Sequence, residues 1–440
     1  MSQPIAADRT PVAGSPHSDR AGATGSGARR WWALSLICLA QFMLILDVTV
    51  VNVALPTIDS DLGLGASLGW VIAAYSLPFG LLLIVGGIVA DRIGLRTAFV
   101  GGLALFTIAS LGASVASDAG TLIASRVAQG VGAALLSPAA LGLVISLFRG
   151  PARNRALAVW AGIGGAGSAI GAVLGGVLTQ TGGWRSVFLV NVPVGVVVAI
   201  LILVVVVPSL LTSRVDGDGE QGVQESAAAV GARARMSATI RTLRSRTIGG
   251  GVITMLLTSM MLIGSFFTLT IALQDAAGFD PLAAGIAFLP AAVAVALGAQ
   301  VGAHLLGRMP ARIVGAAGFI VIVIGFAITW LIPHSVAAPI VGVAVAALGL
   351  GPALVTATAT ATSSVPSADS GAASGVVNTM HEVGGGIGVL LASVPALVAA
   401  TASGSGVVFG LAAGVALVAG AVVTAVLPRG RVQTSGGFHH

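Results

Sequence analysis

The sequence predicts an all-α integral membrane protein with twelve transmembrane helices in two six-helix bundles. Three observations carry this. Of 440 residues, 56% are hydrophobic and only 8% are charged, against about 25% charged in an ordinary soluble domain. Charges that sparse cannot cover the surface of a water-soluble globule. Apolar runs of about 20 residues, the length that crosses a bilayer, recur along the chain. Arginine, which supplies all 21 basic residues, collects in alternate gaps between those runs, as cytoplasmic loops do. The formal charge of +6 therefore reflects membrane topology and not nucleic-acid binding. The 62 glycines fit helices packed backbone to backbone in lipid. A single cysteine, Cys38, excludes an internal disulfide framework and any cysteine-based metal site.

Taken in order, the runs are residues 32–56, 68–90, 98–116, 121–147, 156–181 and 186–207, then 248–274, 282–306, 313–332, 336–360, 371–398 and 406–427. We number them spans 1 to 12. Residues 1–31, rich in Ala, Gly, Ser and Pro, predict a disordered cytoplasmic tail. That tail lacks the short apolar core of a cleavable signal peptide. Residues 32–208 form the N-terminal bundle, 209–247 a cytoplasmic linker, 248–427 the C-terminal bundle and 428–440 a cytoplasmic tail. The linker runs from acidic (Asp216, Asp218, Glu220, Glu225) to basic (Arg233, Arg235, Arg241, Arg244, Arg246). Met236, Ile240 and Leu243 recur there at helical spacing, so a short surface helix on the lipid and a plain solvated linker both stay open.

With both termini in the cytoplasm, every arginine except Arg126, inside span 4, and Arg185 lies on the cytoplasmic side. The outer turns carry Asp59, Asp61, Asp118, Asp275 and Asp280 instead. This places the chain in the cell (cytoplasmic) membrane as a multi-pass protein. Arg92 and Arg96, after span 2, recur with the same spacing as Arg308 and Arg312 after span 8. Two related halves with a substrate site between them follow from that repeat.

Charged groups inside the spans are the first functional candidates, because burial in hydrocarbon costs at least about 2.5 kcal/mol. Asp47 in span 1 has three readings: a carboxylate that binds and releases a proton, a structural partner locking two helices, or an outer-vestibule group in contact with water. Arg126 is the only basic residue inside a span. Counted from the predicted helix ends, it reaches a depth similar to that of Asp47, so the two form a candidate proton-coupling pair. Gln129, one turn deeper, suits either substrate contact or a bond to another backbone. In span 11, Asn378, His381 and Glu382 join Gln129 as candidate lining of a substrate cavity, with a local packing role for His381 and Glu382 equally open. His304 reads as interfacial. No phosphate loop, metal-ligand cluster or nucleophile–base arrangement stands out, which argues against an enzyme, ATP-driven transport and a bound metal or cofactor.

Six stretches together resemble one family. They are Leu46-Asp47-Val48-Thr49-Val50-Val51-Asn52-Val53-Ala54-Leu55-Pro56, Trp70 with Tyr75, and Gly87-Ile88-Val89-Ala90-Asp91-Arg92-Ile93-Gly94-Leu95-Arg96. Arg126-Val127-Ala128-Gln129-Gly130-Val131-Gly132-Ala133-Ala134 follows, then Trp184-Arg185 with Phe188, Asn191, Pro193 and Gly195, and finally residues 371–388. The set resembles the proton-coupled multidrug exporters of the major facilitator superfamily, in the branch that usually has fourteen helices. The resemblance implies export of small apolar or cationic compounds by a monomer, in exchange for protons, with the proton gradient as the energy source. It assigns a cytoplasmic gate to Gly87, Asp91, Arg92, Gly94 and Arg96, with Asp91 meeting the start of span 11. It also assigns a packing motif to Gly167, Gly171, Gly175 and Gly176 of span 5, a small-residue stripe expected to face the opposite half. Two departures stand out: the linker is too polar to supply the two extra helices, and Ala172 occupies the place of the usual proline. Uptake by proton symport on the same fold stays open, as does a non-transporting sensor or scaffold.

Overall fold

The computed structural model describes residues 20–211, 246–363, 365, 370–398 and 404–430, and every regular element among them is helical. The surface helix expected around residues 236–243 lies outside these residues, as do most of the two tails. The N-terminal half contains α1 (Arg20–Leu62), α2 (Trp70–Ile93), α3 (Leu95–Ser114), α4 (Ala119–Leu147), α5 (Gly150–Gly182), a short α6 (Arg185–Leu189) and α7 (Asn191–Leu211). The C-terminal half contains α8 (Arg246–Ile271), continued by a π-helical turn at Ala272–Ala276, then α9 (Pro281–Ala287), α10 (Leu289–Leu306), α11 (Ala311–Leu331), α12 (Ala337–Thr362), α13 (Ser370–Val398) and α14 (Gly404–Val426). Spans 1 to 5 are α1 to α5. Span 6 is α6 with α7, span 7 is α8, span 8 is α9 with α10, and spans 9 to 12 are α11 to α14.

Two boundaries need correcting. Residues 20–31, expected as part of a disordered tail, already belong to α1. Span 1 was expected to stop at Pro56, but α1 runs on to Leu62 with Pro56 inside it. Neighbouring helices in a bundle make such interruptions tolerable. The helix starts follow ordinary capping chemistry. Asp118 accepts from the Thr121 backbone at 2.9 Å and from its hydroxyl at 2.7 Å, and these bonds hold its carboxyl below the usual carboxylate range. Asp280 likewise caps α9 at the Ala283 N–H, 2.7 Å away, with Pro281 in the first turn.

The two halves are built alike. Span 1 packs on span 5, span 2 on span 4, span 3 on spans 4 and 6. In the second half span 7 packs on span 11, span 8 on span 10, span 9 on spans 10 and 12. The arginine repeat therefore reported a true structural duplication. Large apolar side chains of α7 (Val196, Val197, Ile200, Leu203, Val204) and α14 (Leu411, Leu417, Val418) point out of the protein. A face like that is stable only where the surroundings are lipid.

Ten of the described helical segments are long and apolar enough to cross a membrane alone. Helices α5 and α13 join the halves: α5 meets α9 and α10, and α13 meets α2.

Small residues make those joints possible. A Cβ at Gly176 would fall 2.7 Å from the Leu282 Cα, and one at Gly80 would sit 2.8 Å from the Glu382 Cβ. The stripe expected to face the opposite half does not do so. Gly167, Gly171 and Gly175 lie against Ile45, Thr49 and Val50 of α1, within their own half. Residues four apart share one helix face, and the adjacent row, Ala172 and Gly176, makes the cross-half contacts with Gly285 and with Pro281 and Leu282.

Candidate functional site

Arg126 and Gln129 lie on α4, and the glycines that follow them shape their surroundings. A Cβ at Gly130 would collide with the Tyr75 carbonyl of α2, and one at Gly132 would sit 2.7 Å from the Phe106 nitrogen of α3. Because these positions are bare, α2 and α3 close onto α4 and bring Val71, Tyr75 and Ser110 around the arginine. From the other side, α6 is clamped to α1. Trp184 Nε1 donates to Asp61 Oδ2 at 2.9 Å, Arg185 donates to the same oxygen at 2.7 Å and to the Ala116 carbonyl at 3.0 Å. That clamp positions Phe188 and the start of α7 over the site.

The result is a sealed polar network in the N-terminal half. Asp47, Arg126 and Gln129 have no exposure to solvent, and Asn191 has 1%. Arg126 Nη1 pairs with Asp47 Oδ2 and donates to Gln129 Oε1 at 2.9 Å, while Nε donates to the Val71 carbonyl at 2.8 Å. Asp47 Oδ1 accepts from Asn191 at 3.0 Å and from Gln129 at 3.2 Å, and Gln129 also donates to Ser110 at 2.8 Å. The guanidinium lies 4.6 Å from the Tyr75 ring and 5.7 Å from the Phe188 ring, a cation caged by aromatic faces. Each Asp47 oxygen meets N–H donors, which suits an acceptor-only carboxylate. Among the described residues, Arg126 Nη2 and Tyr75 Oη are both buried without a partner.

Asp47 and Arg126 therefore come together as their estimated depths implied, and Asp47 is not in a water-filled vestibule. Gln129 is buried and bonds both members of the pair and Ser110, which holds the pair in register. Asn191 and Tyr75 were legible only as parts of a motif, and no pattern singled out their roles. The sole sequence signal at Asn191 is an amide just ahead of a long apolar run.

The C-terminal half places its candidates elsewhere. Asn378 and His381 line an open cavity of about 360 Å³ with Met255, Thr358, Thr362, Ser374 and Val377. His381 Nδ1 shares a 2.6 Å hydrogen bond with the Ser259 hydroxyl. Glu382 sits against α2 at Gly80, partly exposed. His304 and Arg308, one turn apart on the protein surface, contact each other.

In the expected gate, Gly94 has a φ of 90°, a conformation that favours glycine, and it makes the turn from α2 to α3. Gly87 is not a close-packing glycine, since a Cβ there meets only Pro138 at 3.7 Å. The tight contact belongs to Gly86, where it would overlap the Ala134 carbonyl. Asp91 is partly buried and engaged; the part of span 11 it was expected to meet adjoins residues 366–369, outside the described set. Arg92 is exposed, and Arg96 is partly buried, its Nη2 without a partner among the described residues.

Comparison with known proteins follows the same lines. The family model of the Major Facilitator Superfamily matches residues 37–389. The cephamycin export protein of Amycolatopsis lactamdurans is 35% identical over 84% of this chain and 86% of its own. The puromycin resistance protein of Streptomyces alboniger is 33% identical over 85% and 83%. Among solved structures, an inward-facing bacterial homolog of the human lysosomal transporter Spinster superposes with a TM-score of 0.72 at 16% identity, covering 90% of this chain and 97% of that one, a likeness of fold alone. The duplicated six-span halves, the lipid-facing surface and the family match agree: the chain belongs to the Major Facilitator Superfamily and is a membrane transporter, not an enzyme.

Proposed function

We propose that the protein exports antibiotic-like small molecules in exchange for protons, by alternating access between its two halves. The carrying observation is the Asp47–Arg126 pair, sealed in the membrane interior with every Asp47 oxygen occupied. Purely structural burial of such a pair is poor economy, since well-packed apolar residues commonly serve as well or better. A titratable switch justifies the charge. Relatives named for cephamycin export and puromycin resistance support the direction and the substrate class.

The chain sits in the cytoplasmic membrane as a monomer with both termini inside, and the proton gradient supplies the energy without a bound cofactor. The outer side is closed in this conformation. Thr270 donates to Asn52 Oδ1 at 3.3 Å and Gln274 to the Val53 carbonyl at 2.8 Å, bridging the halves near the outer ends of α1 and α8. The cavity around Asn378 opens on the cytoplasmic side and receives the substrate. A proton arriving on Asp47 removes the charge that Arg126 compensates and frees α1 from α4. Arg126 stays in place, because Val71, Gln129 and the Tyr75 ring still hold it.

The test is accumulation of ethidium and puromycin inside everted membrane vesicles, whose lumen corresponds to the cell exterior, with and without a proton gradient. Gradient-dependent export that Asp47→Asn abolishes is the expected result. Export indifferent to the gradient would overturn the proton-driven reading.

A further inference from the structure

Asp47 has no exposure, and its two oxygens face Arg126, Gln129 and Asn191. None of those neighbours can deliver a proton: an arginine does not deprotonate in proteins, and amides are not acids. The proton must reach Asp47 through a hydroxyl or a water molecule. Two buried polar atoms of the site, Tyr75 Oη and Arg126 Nη2, have no partner among the described residues. They belong to side chains already in contact, with the guanidinium 4.6 Å from the ring centre. A donor-only nitrogen beside a hydroxyl is what one water molecule can satisfy.

Tyr75 lies on α2, the helix that packs against α13 of the other half. Glu382 packs against α2 at Gly80, five residues along from Tyr75, where the missing side chain lets it approach. It is partly exposed and, among the described residues, has no hydrogen-bond or ion partner. Its neighbour His381 is committed to Ser259. One carboxylate is thus sealed in the first half, a second stands at the seam, and the unpaired phenol belongs to α2, the helix that meets both α4 and α13.

We infer that Tyr75 Oη and Arg126 Nη2 bind a water molecule and that the proton passes between Glu382 and Asp47 through this hydrated tyrosine. This rests on the proton-exchange reading above and names the path within it. In the inward step the O–H bond of protonated Glu382 breaks and its proton moves to the water or to Tyr75 Oη. That group passes a proton of its own to Asp47, where a new O–H bond forms. Glu382 becomes a carboxylate, Asp47 becomes neutral, and tyrosine and water are regenerated. Arg126 stays protonated throughout, held by Val71, Gln129 and the two rings.

Tyr75→Phe keeps the ring and its contact with Arg126 and removes only the hydroxyl. The experiment uses the full chain in proteoliposomes with a trapped pH-sensitive dye and follows proton movement when ethidium or puromycin is added, across a range of pH. Tyr75→Phe is expected to keep the wild-type melting temperature while substrate-triggered proton movement slows about a hundredfold, the scale of a positioned proton-transfer group. Glu382→Gln should lose the same signal. Wild-type proton movement and pH profile in Tyr75→Phe, or full coupling in Glu382→Gln, would overturn the path alone. A wild-type protein that moves substrate with no proton movement at all would overturn the exchange reading and the path with it.

Discussion

Replacing Asp47 with Asn removes one charge and almost no volume. Asp47 Oδ1 accepts from Gln129 and Asn191, and Oδ2 accepts from Arg126. An asparagine must turn its NH₂ toward one of these sets of donors, so at least one bond becomes a donor–donor clash. Gln129 cannot flip to relieve it without giving up its contacts with Arg126 and Ser110. Leaving one member of a buried pair uncompensated costs about 3–5 kcal/mol. Arg126 retains Val71, Gln129 and the Tyr75 ring, which places the loss at the lower end, about 3 kcal/mol. If that energy stabilises the outer-closed arrangement, its removal shifts the closed-to-open ratio by about two decades, at about 1.4 kcal/mol per decade. A suitable reporter is Val53→Cys, because Val53 is 1% exposed and packs into the apolar cluster of the opposite half. The native thiol, Cys38, is itself buried. Labelling of the introduced cysteine by a membrane-impermeant maleimide from outside should rise strongly in the Asp47→Asn background. Unchanged labelling together with unchanged thermal stability would refute the switch.

Three further outcomes follow from the packing. A Cβ at Gly175 would lie 2.8 Å from the Val50 Cα, whereas Gly101 has nothing within 4 Å; Gly175→Ala should cost about 1–3 kcal/mol in a melting experiment and Gly101→Ala nothing measurable. Gln274→Leu deletes the 2.8 Å bond to the Val53 carbonyl, a loss of about 1 kcal/mol, and should raise outside labelling at position 53 about fivefold; equal labelling would show that this bond is no latch. Arg185 and Asp61 are 45% and 46% exposed, so Arg185→Gln should change stability by less than about 1 kcal/mol and leave export intact, and a collapse in export would show that the clamp takes part in transport.

Much of this architecture was legible because the bilayer simplifies the code. Run length located the helices of both halves among the described residues, and the Arg92/Arg96 and Arg308/Arg312 echo anticipated the duplicated packing. Asp47 and Arg126 stood out because a charge in hydrocarbon demands a reason. What sequence did not yield depends on helix rotation. Gly86 and Gly87 are equivalent in a string, yet only Gly86 packs tightly on α4, while Gly87 meets Pro138 of the same helix at an ordinary distance. The stripe of Gly167, Gly171 and Gly175 marked a face correctly but not its partner, which is α1 and not the opposite half. Tyr75 and Asn191 look like ordinary motif residues until folding carries one over Arg126 and the other onto Asp47. Pro56 read as a helix end because its cost in water is high, and within a bundle it is absorbed.

The central claim is that substrate leaves as a proton enters through Asp47. The most direct measurement is the proton-to-substrate exchange of the purified chain in proteoliposomes, with ethidium or puromycin flux and internal pH recorded together. The account expects an imposed pH gradient to drive substrate uphill against the direction of proton flow, and a substrate gradient alone to move protons, with both lost in Asp47→Asn. Substrate flux that leaves the internal pH unchanged, or both fluxes running in the same direction, would contradict it.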